Sequence, residues 1–197
     1  MSLKLPVWPK VHRNSGILAP ASEVELVADE GHFGRVVIDG MLSAKVSLDI
    51  ATADFKAMLV PRQGRKRAPS IIEVFRKLAE GGVEIRLMHS GTPSEWALRE
   101  LKRALPERLT IRRCPRLHAK AVVVDCSAMY LGSANLTGAG LGAKGDGRRN
   151  FELGIWTTSS ALIDGVLEHF NALWEGRRCE SCRRKEICPV PLEEPHL

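Results

Sequence analysis

At 197 residues, 44% hydrophobic and 26% charged, the chain is long enough to bury a core and unlike a disordered or fibrous sequence. No apolar run approaches the ~18 residues that span a bilayer, and no signal-peptide stretch opens the N-terminus, so a cytoplasmic protein without stable membrane insertion is expected. Lys and Arg outnumber Asp and Glu by 29 to 23, a net charge of +6 that favours an anionic partner.

Residues 1–20 read as an extended, proline-punctuated segment. Phe33, Val36, Val37, Met41 and Ala44 then share one helical face, and residues 46–52 (VSLDIAT) read as a strand. PRQGRKRAP (61–69) is a basic loop carrying Arg62, Arg65, Lys66 and Arg67 with no acid among them. Ser70 and Glu73 form a capping box for a helix that buries Ile71, Val74, Phe75 and Leu78 and stops at Gly81-Gly82. VEIRLM (83–88) alternates as a strand. Thr92-Pro93 with Glu95 opens another helix, apolar at Leu98, Leu101 and Leu105.

After Leu109 four strand-like segments follow without a helical pattern: LTIRR, HAKAVVVD, AMYLGS and FELGIW. A last amphipathic helix from about Ser159 to Trp174 carries Leu162, Val166, Phe170 and Leu173, and Gly176 is placed to end it. The order predicts one α/β domain over residues 1–175, a mixed central β-sheet flanked by helices. Residues 176–197 read as a short, basic, Cys-rich tail.

Chemistry concentrates between His118 and Asn135. In a strand starting at His118, side chains alternate, so His118 and Lys120 share a face and Asp125 points to the other. An imidazole beside a fixed ammonium suits a phosphate: the Lys neutralises non-bridging oxygens while the His attacks phosphorus or donates a proton. Ser133 and Asn135 form a second same-face pair, and Gly132 lets the backbone approach an anion. Taken alone, each fragment has an ordinary reading, a surface His or a Gly-Ser turn. Six positions at set spacing do not.

That spacing, H-x-K-x4-D-x6-G-S-x-N, resembles the signature of the phospholipase D superfamily, matched by His118, Lys120, Asp125, Gly132, Ser133 and Asn135. Asn150-Phe151-Glu152 resembles the acidic site element of the same family. The resemblance extends from about Val24 to Trp174 and implies a phospholipase D-like fold. It also implies a phosphodiesterase that needs no metal for catalysis and works through a covalent phosphohistidine. On that footing His118 is nucleophile or acid, and Lys120 and Asn135 hold phosphate oxygens. Glu152 orients the imidazole, and Ser133 supports the phosphate or Glu152. Asp125 belongs to the motif but faces away, which reads as structural. The family's reaction uses two such histidines, and this chain has one copy of the motif. A two-fold homodimer would supply the second.

Arg99 to Lys120 holds eight bases against two acids, and Arg177, Arg178, Arg183, Arg184 and Lys185 form a third basic block. Nucleic acid, DNA or RNA, is therefore the expected substrate, with Arg65, Lys66, Arg67 and Arg116 as candidate contacts. A phospholipid phosphodiesterase or transphosphatidylase, and an inactive nucleic-acid-binding module, are the alternatives. The five cysteines include Cys179-x2-Cys182-x5-Cys188. This triplet resembles the last three ligands of iron–sulfur sites in helix–hairpin–helix glycosylases and RecB-like nucleases. A structural iron–sulfur cluster, or zinc, is expected there, with Cys114 as fourth ligand or Cys126, His169 or His196 in its place. Three ordinary thiols are the plain alternative.

Overall fold

The structure, a computed structural model, describes residues 24–56, 58–61, 67–91, 94, 97, 99–100, 105–184 and 186–188. The extended segment 1–20, Arg62, Arg65 and Lys66, Thr92-Pro93, Glu95, Leu98 and Leu101 of the helix expected after Thr92, Lys185 and the residues from Pro189 on, His196 included, lie outside these, whereas Ala97, Arg99 and Glu100 of that helix are helical.

Seven strands form one mixed sheet among the described residues. In chain order they are β1 (Val24–Ala28), β2 (Ser47–Thr52), β3 (Glu84–His89), β4 (Leu109–Arg113), β5 (Ala121–Val124), β6 (Ala128–Gly132) and β7 (Leu153–Thr157). Their spatial order is β1-β7-β6-β5-β2-β3-β4. β2, β3 and β4 run parallel, and the β2–β5, β5–β6, β6–β7 and β7–β1 pairs are antiparallel. β2 and β5 sit at the centre and are buried almost throughout, which is why AVVV is a continuous apolar run and why Asp49 and Thr52 of SLDIAT are buried polar groups with partners.

Helix α1 (Ile71–Glu80) starts where the capping box places it, with the Ser70 hydroxyl accepting the Glu73 N–H at 3.1 Å. It makes the crossover from β2 to β3. Its Ile71, Val74 and Phe75 join Leu48, Ile50, Ile85 and Leu87 in the main core. Each such side chain, fully buried, contributes roughly 1.5–3 kcal/mol. The opposite face is covered by α2 (Ser160–Trp174), whose Ile163 meets Val123 and Met129 while Phe170 and Trp174 meet Met88, Leu117 and Ala121. Its docking is reinforced by charge. Arg86 of β3 pairs with buried Asp49 of β2 at 2.6 Å, lies over the rings of Phe170 and Trp174, and donates to Asn171 at 2.9 Å.

Three expectations shift. The helical face from Phe33 to Ala44 is two pieces, a wide turn at Phe33–Ile38 closed by the Asp39 N–H to Gly34 carbonyl bond, then a tight turn at Met41–Ser43. The break falls at Gly40, where a side chain would collide with the Trp156 ring and the Val36 carbonyl. On α2, Ile163 is buried and Leu162 is 45% exposed, because the helix meets Val123 and Met129 on the neighbouring stripe. The strand expected from His118 begins at Ala121, with His118 and Lys120 in the extended segment before it. Strand β1 carried no sequence expectation, and it adds the edge beyond β7.

The β5–β6 hairpin turns through Asp125 and Cys126, both at φ 51°, with the Ser127 N–H bonded to the Val124 carbonyl at 3.0 Å. Two successive left-handed residues make the turn whose twist matches the strands. The Asp125 carboxylate accepts the N–H groups of Lys45, Val46 and Ser47 at 2.7–3.1 Å, pinning the entry to β2. Burial raises its pKa, but those backbone donors outweigh this and hold it below the ordinary 3.8. On acidification the unfolded chain therefore takes up the proton first. The stabilisation is complete above the ordinary value and is lost as pH falls through the lower, folded one. Asp125→Asn should cost roughly 1–3 kcal/mol at neutral pH, and its urea midpoint should fall less than the wild type's below pH 4. An equal acid dependence in both proteins would contradict this.

Candidate active site

The hairpin carries the motif's two halves to one end of the sheet. Lys120 lies just before β5 and Gly132 closes β6, joined by the Gly132 N–H to Lys120 carbonyl bond at 3.1 Å. The Lys120 ammonium is 3.2 and 3.3 Å from the two ring nitrogens of His118 and donates to the His118 carbonyl at 2.8 Å. The expected pair is formed, on an open surface with His118 exposed. Asp125 is at the far end of β5, five residues from Lys120, about 16 Å at the rise of a strand.

Asn135 is anchored by its side-chain oxygen, which accepts from Ala53 N–H at 3.1 Å, Asp54 N–H at 3.0 Å and Thr52 Oγ1 at 3.3 Å. Three donors on one oxygen fix the amide's orientation and turn its NH2 away from them. Ser133 donates to the Glu152 carboxylate and accepts the Leu153 N–H at 3.0 Å, so Ser133 supports Glu152. Asn150 donates to the other Glu152 oxygen at 3.0 Å. Among the described residues no hydrogen bond joins Glu152 to His118.

Beneath these groups lies a buried polar network. Tyr130, 1% exposed, accepts the Ala134 N–H at 3.1 Å and meets His32 Nε2 at 3.0 Å, while His32 Nδ1 is 2.9 Å from the Asp29 carbonyl. The set is consistent with a neutral His32 that donates from Nδ1 to Asp29 and accepts from the Tyr130 hydroxyl. Burial, aided by the nearby Glu152 charge and opposed by the Ala134 N–H, pushes the phenol up to about 12, so it keeps its proton. Asp29, at φ 45°, pairs back: its N–H donates to the Glu152 carbonyl at 2.9 Å and its Oδ1 accepts the Glu152 N–H at 3.0 Å. Gly132 and Gly154 face each other across β6 and β7, and a side chain on Gly154 would overlap the Tyr130 ring while one on Gly132 would overlap its hydroxyl. The absent Gly132 side chain thus makes room for this hydroxyl.

Asp29, His32 and Tyr130 escape a sequence reading because they lie outside the motif or inside its unread spacing. Asn150 is visible only as the first residue of Asn-Phe-Glu.

Two hollows flank the motif. One, of about 560 Å³, is lined by Asp54, Lys56, Asn135, Lys144 and Asn150 among others. The other, of about 220 Å³, is lined by His118, Arg116, Cys114, Cys179, Cys182 and His169 among others. Arg116 is thus beside His118, whereas Arg67 is exposed on the strand-linking loop. The cysteine centre is only partly assembled. Cys114, Cys179 and Cys182 share a hollow, but Cys188 follows a further turn, with its N–H on the Arg184 carbonyl, and is not in that lining. No disulfide joins the described cysteines, and among the described residues no three His, Cys, Asp or Glu side chains are arranged to hold a metal ion. The iron–sulfur or zinc expectation is without support here.

The fold thus brings a His–Lys pair beside a braced Gly-Ser-x-Asn turn at one end of a mixed sheet. Residues 37–174 match the family described as "Cardiolipin synthase, PLD-like domain", and the chain belongs to this phospholipase D-like family. Among solved structures, NucT from Helicobacter pylori is similar at 15% identity and a TM-score of 0.58, over 77% of this chain and 95% of that one. Nuc from Salmonella typhimurium, a phospholipase D family member, is similar at 19% identity and 0.56, over 77% and 93%. TrmBL2, an archaeal chromatin protein, is similar at 15% identity and 0.53, over 80% of this chain and 54% of its own. No curated protein is matched by sequence. The mixed sheet is the phospholipase D fold.

The network predicts that Tyr130→Phe, which strands the Ala134 N–H and His32 Nε2 without a partner, costs roughly 1–3 kcal/mol. Thermal unfolding should show a lowered Tm. An unchanged Tm would mean that the hydroxyl holds nothing in place.

Proposed function

We propose that the chain is a phosphodiesterase that cleaves nucleic acid, DNA or RNA, through a phosphohistidine on His118 at a site shared by two copies. A His118 nitrogen attacks phosphorus, and the P–O bond to the leaving nucleoside breaks. The His118 of the second copy gives that oxygen its proton. Water then attacks phosphorus, passing its proton back to the same imidazole as the P–N bond breaks, which releases the phosphomonoester and restores both histidines. Lys120 and the Asn135 NH2 hold the non-bridging oxygens as charge builds on them. Glu152, fixed by Ser133 and Asn150, orients an imidazole once the second copy closes the site.

The observation that carries the nucleic-acid reading is the presence of two lysines, Lys56 and Lys144, in the lining of the hollow beside Asn135. The basic blocks of the sequence support it, and TrmBL2 is described as binding DNA. The two-copy site is supported by apolar side chains left uncovered next to Glu152. Leu26, Ile155 and Leu131 form one row across β1, β7 and β6, with Leu26 68% and Leu131 38% exposed. Leu153 shares the face, and Phe151 beside Glu152 is 95% exposed.

The same apolar residues favour a second reading, in which an acyl chain lies there and the substrate is a phospholipid, in keeping with the family's description. One assay separates them: labelled DNA, RNA and mixed phospholipid vesicles are offered in EDTA. Strand cleavage that His118→Ala abolishes and Lys120→Ala reduces by several kcal/mol of barrier is expected, from a particle sedimenting at twice the chain mass. Cleavage of lipid alone, wild-type activity in His118→Ala, or an active monomer would each overturn the corresponding part.

A further inference from the structure

The hollow beside Asn135 holds more than the motif requires. One wall is formed by Asp54, Lys56, Met58 and Leu59 after β2, tied to the motif by the Lys56 N–H to Leu136 carbonyl bond at 3.1 Å. The other is the glycine-rich loop 137–150, which the motif does not include. This loop is braced from within: Thr137 Oγ1 accepts the Gly140 N–H at 3.0 Å, and the Asn150 N–H meets the Ala139 carbonyl at 3.1 Å.

Lys144 stands on that braced loop. Its N–H is bonded to the Gly138 carbonyl at 3.0 Å, and its aliphatic stem passes over Gly138, opposite Met58. The two cations of the hollow differ. Lys56 is paired with Asp54 at 2.8 Å, whereas no ion pair engages Lys144 among the described residues. The anchored Asn135 amide turns its NH2 away from Thr52, Ala53 and Asp54, and Asn135 and Lys144 both line the hollow. A volume of about 560 Å³ exceeds what one phosphate fills and lies in the range of small-molecule sites.

We infer that this hollow is a subsite for the nucleotide next to the scissile phosphate, with the Lys144 ammonium contacting that nucleotide's own phosphate. The inference rests on the nucleic-acid reading above and adds a substrate requirement. The strand must continue past the cleaved bond with a second negative charge. Lys144 supplies position and affinity there, while the reacting atoms stay with His118 and Lys120.

Binding of a fluorescently labelled single-stranded oligonucleotide, followed by anisotropy across a salt series, tests it. Lys144→Ala should weaken binding several-fold at low salt and lower the slope of log K against log salt by about 0.7, the loss of one phosphate contact on a single strand. Lys77→Ala, which removes the same charge from the far surface of α1 where Lys77 pairs with Glu73, serves as the control and should leave the slope as it is. In cleavage, the Lys144→Ala loss should fall on KM, and the wild-type-to-variant ratio should shrink toward one with a dinucleoside monophosphate, which has no second phosphate. Wild-type protein that binds no oligonucleotide overturns the nucleic-acid reading and this subsite with it. Wild-type protein that binds, with Lys144→Ala indistinguishable from Lys77→Ala, overturns the subsite alone.

Discussion

Tyr130 places its hydroxyl between the His32 imidazole and the Ala134 N–H, and the turn from Gly132 to Asn135 hangs from that point. A buried phenol in so apolar a setting must have its oxygen fully bonded, because an unmade hydrogen bond there costs about as much as a packed side chain contributes. The requirement propagates outward. His32 satisfies the hydroxyl while leaning on the Asp29 carbonyl, and Asp29 reaches Glu152 through two bonds, one from its own N–H to the Glu152 carbonyl and one from the Glu152 N–H to its carboxylate. One edge of the active site is therefore held through the core from the first strand. Gly132 and Gly154 are the spatial condition for it, since the ring and hydroxyl occupy the volume their side chains would take.

The opposite edge depends on electrostatics rather than on a buried hydroxyl. Asp49 and Arg86 lock β2 to β3, and the guanidinium then serves as the platform on which Phe170 and Trp174 rest. Arg112 adds a second cation over Trp174 at 4.6 Å and donates to its carbonyl at 2.6 Å. Arg112, which a charge count assigns to the basic block from Arg99 to Lys120, is thus engaged in packing α2. This division matters for function: a basic stretch reads as one phosphate-binding block in sequence, while in the fold its Arg112 faces a helix and Lys144, outside any such block, stands by the motif.

Much of the architecture was legible. The capping box at Ser70 and Glu73 placed the start of α1 to the residue, and strand-like patterning placed β2 to β7 within a residue or two, His118 and Lys120 excepted. These features are local: they depend on side-chain period and on donors within one turn. What failed did so for tertiary reasons. The wide turn before Gly40 yields to the Trp156 ring, and the buried stripe of α2 is chosen by Val123 and Met129 rather than by the helix itself. The Cys179-x2-Cys182-x5-Cys188 spacing gains no metal-holding group of side chains among the described residues.

The sequence by itself determined the family, the mixed sheet and the His118–Lys120 pair, because a motif of fixed spacing on paired strands leaves little geometric freedom. Only the tertiary structure decided that Asp125 is a structural cap 80 residues from the N–H of Lys45, that Ser133 serves Glu152, and that Asn135 is aimed by the end of β2. It also decided that Lys144 stands beside the motif. Each of these is a hydrogen bond or an approach between segments distant in the chain, set by how strands are ordered in the sheet, and no local pattern of residues encodes that order.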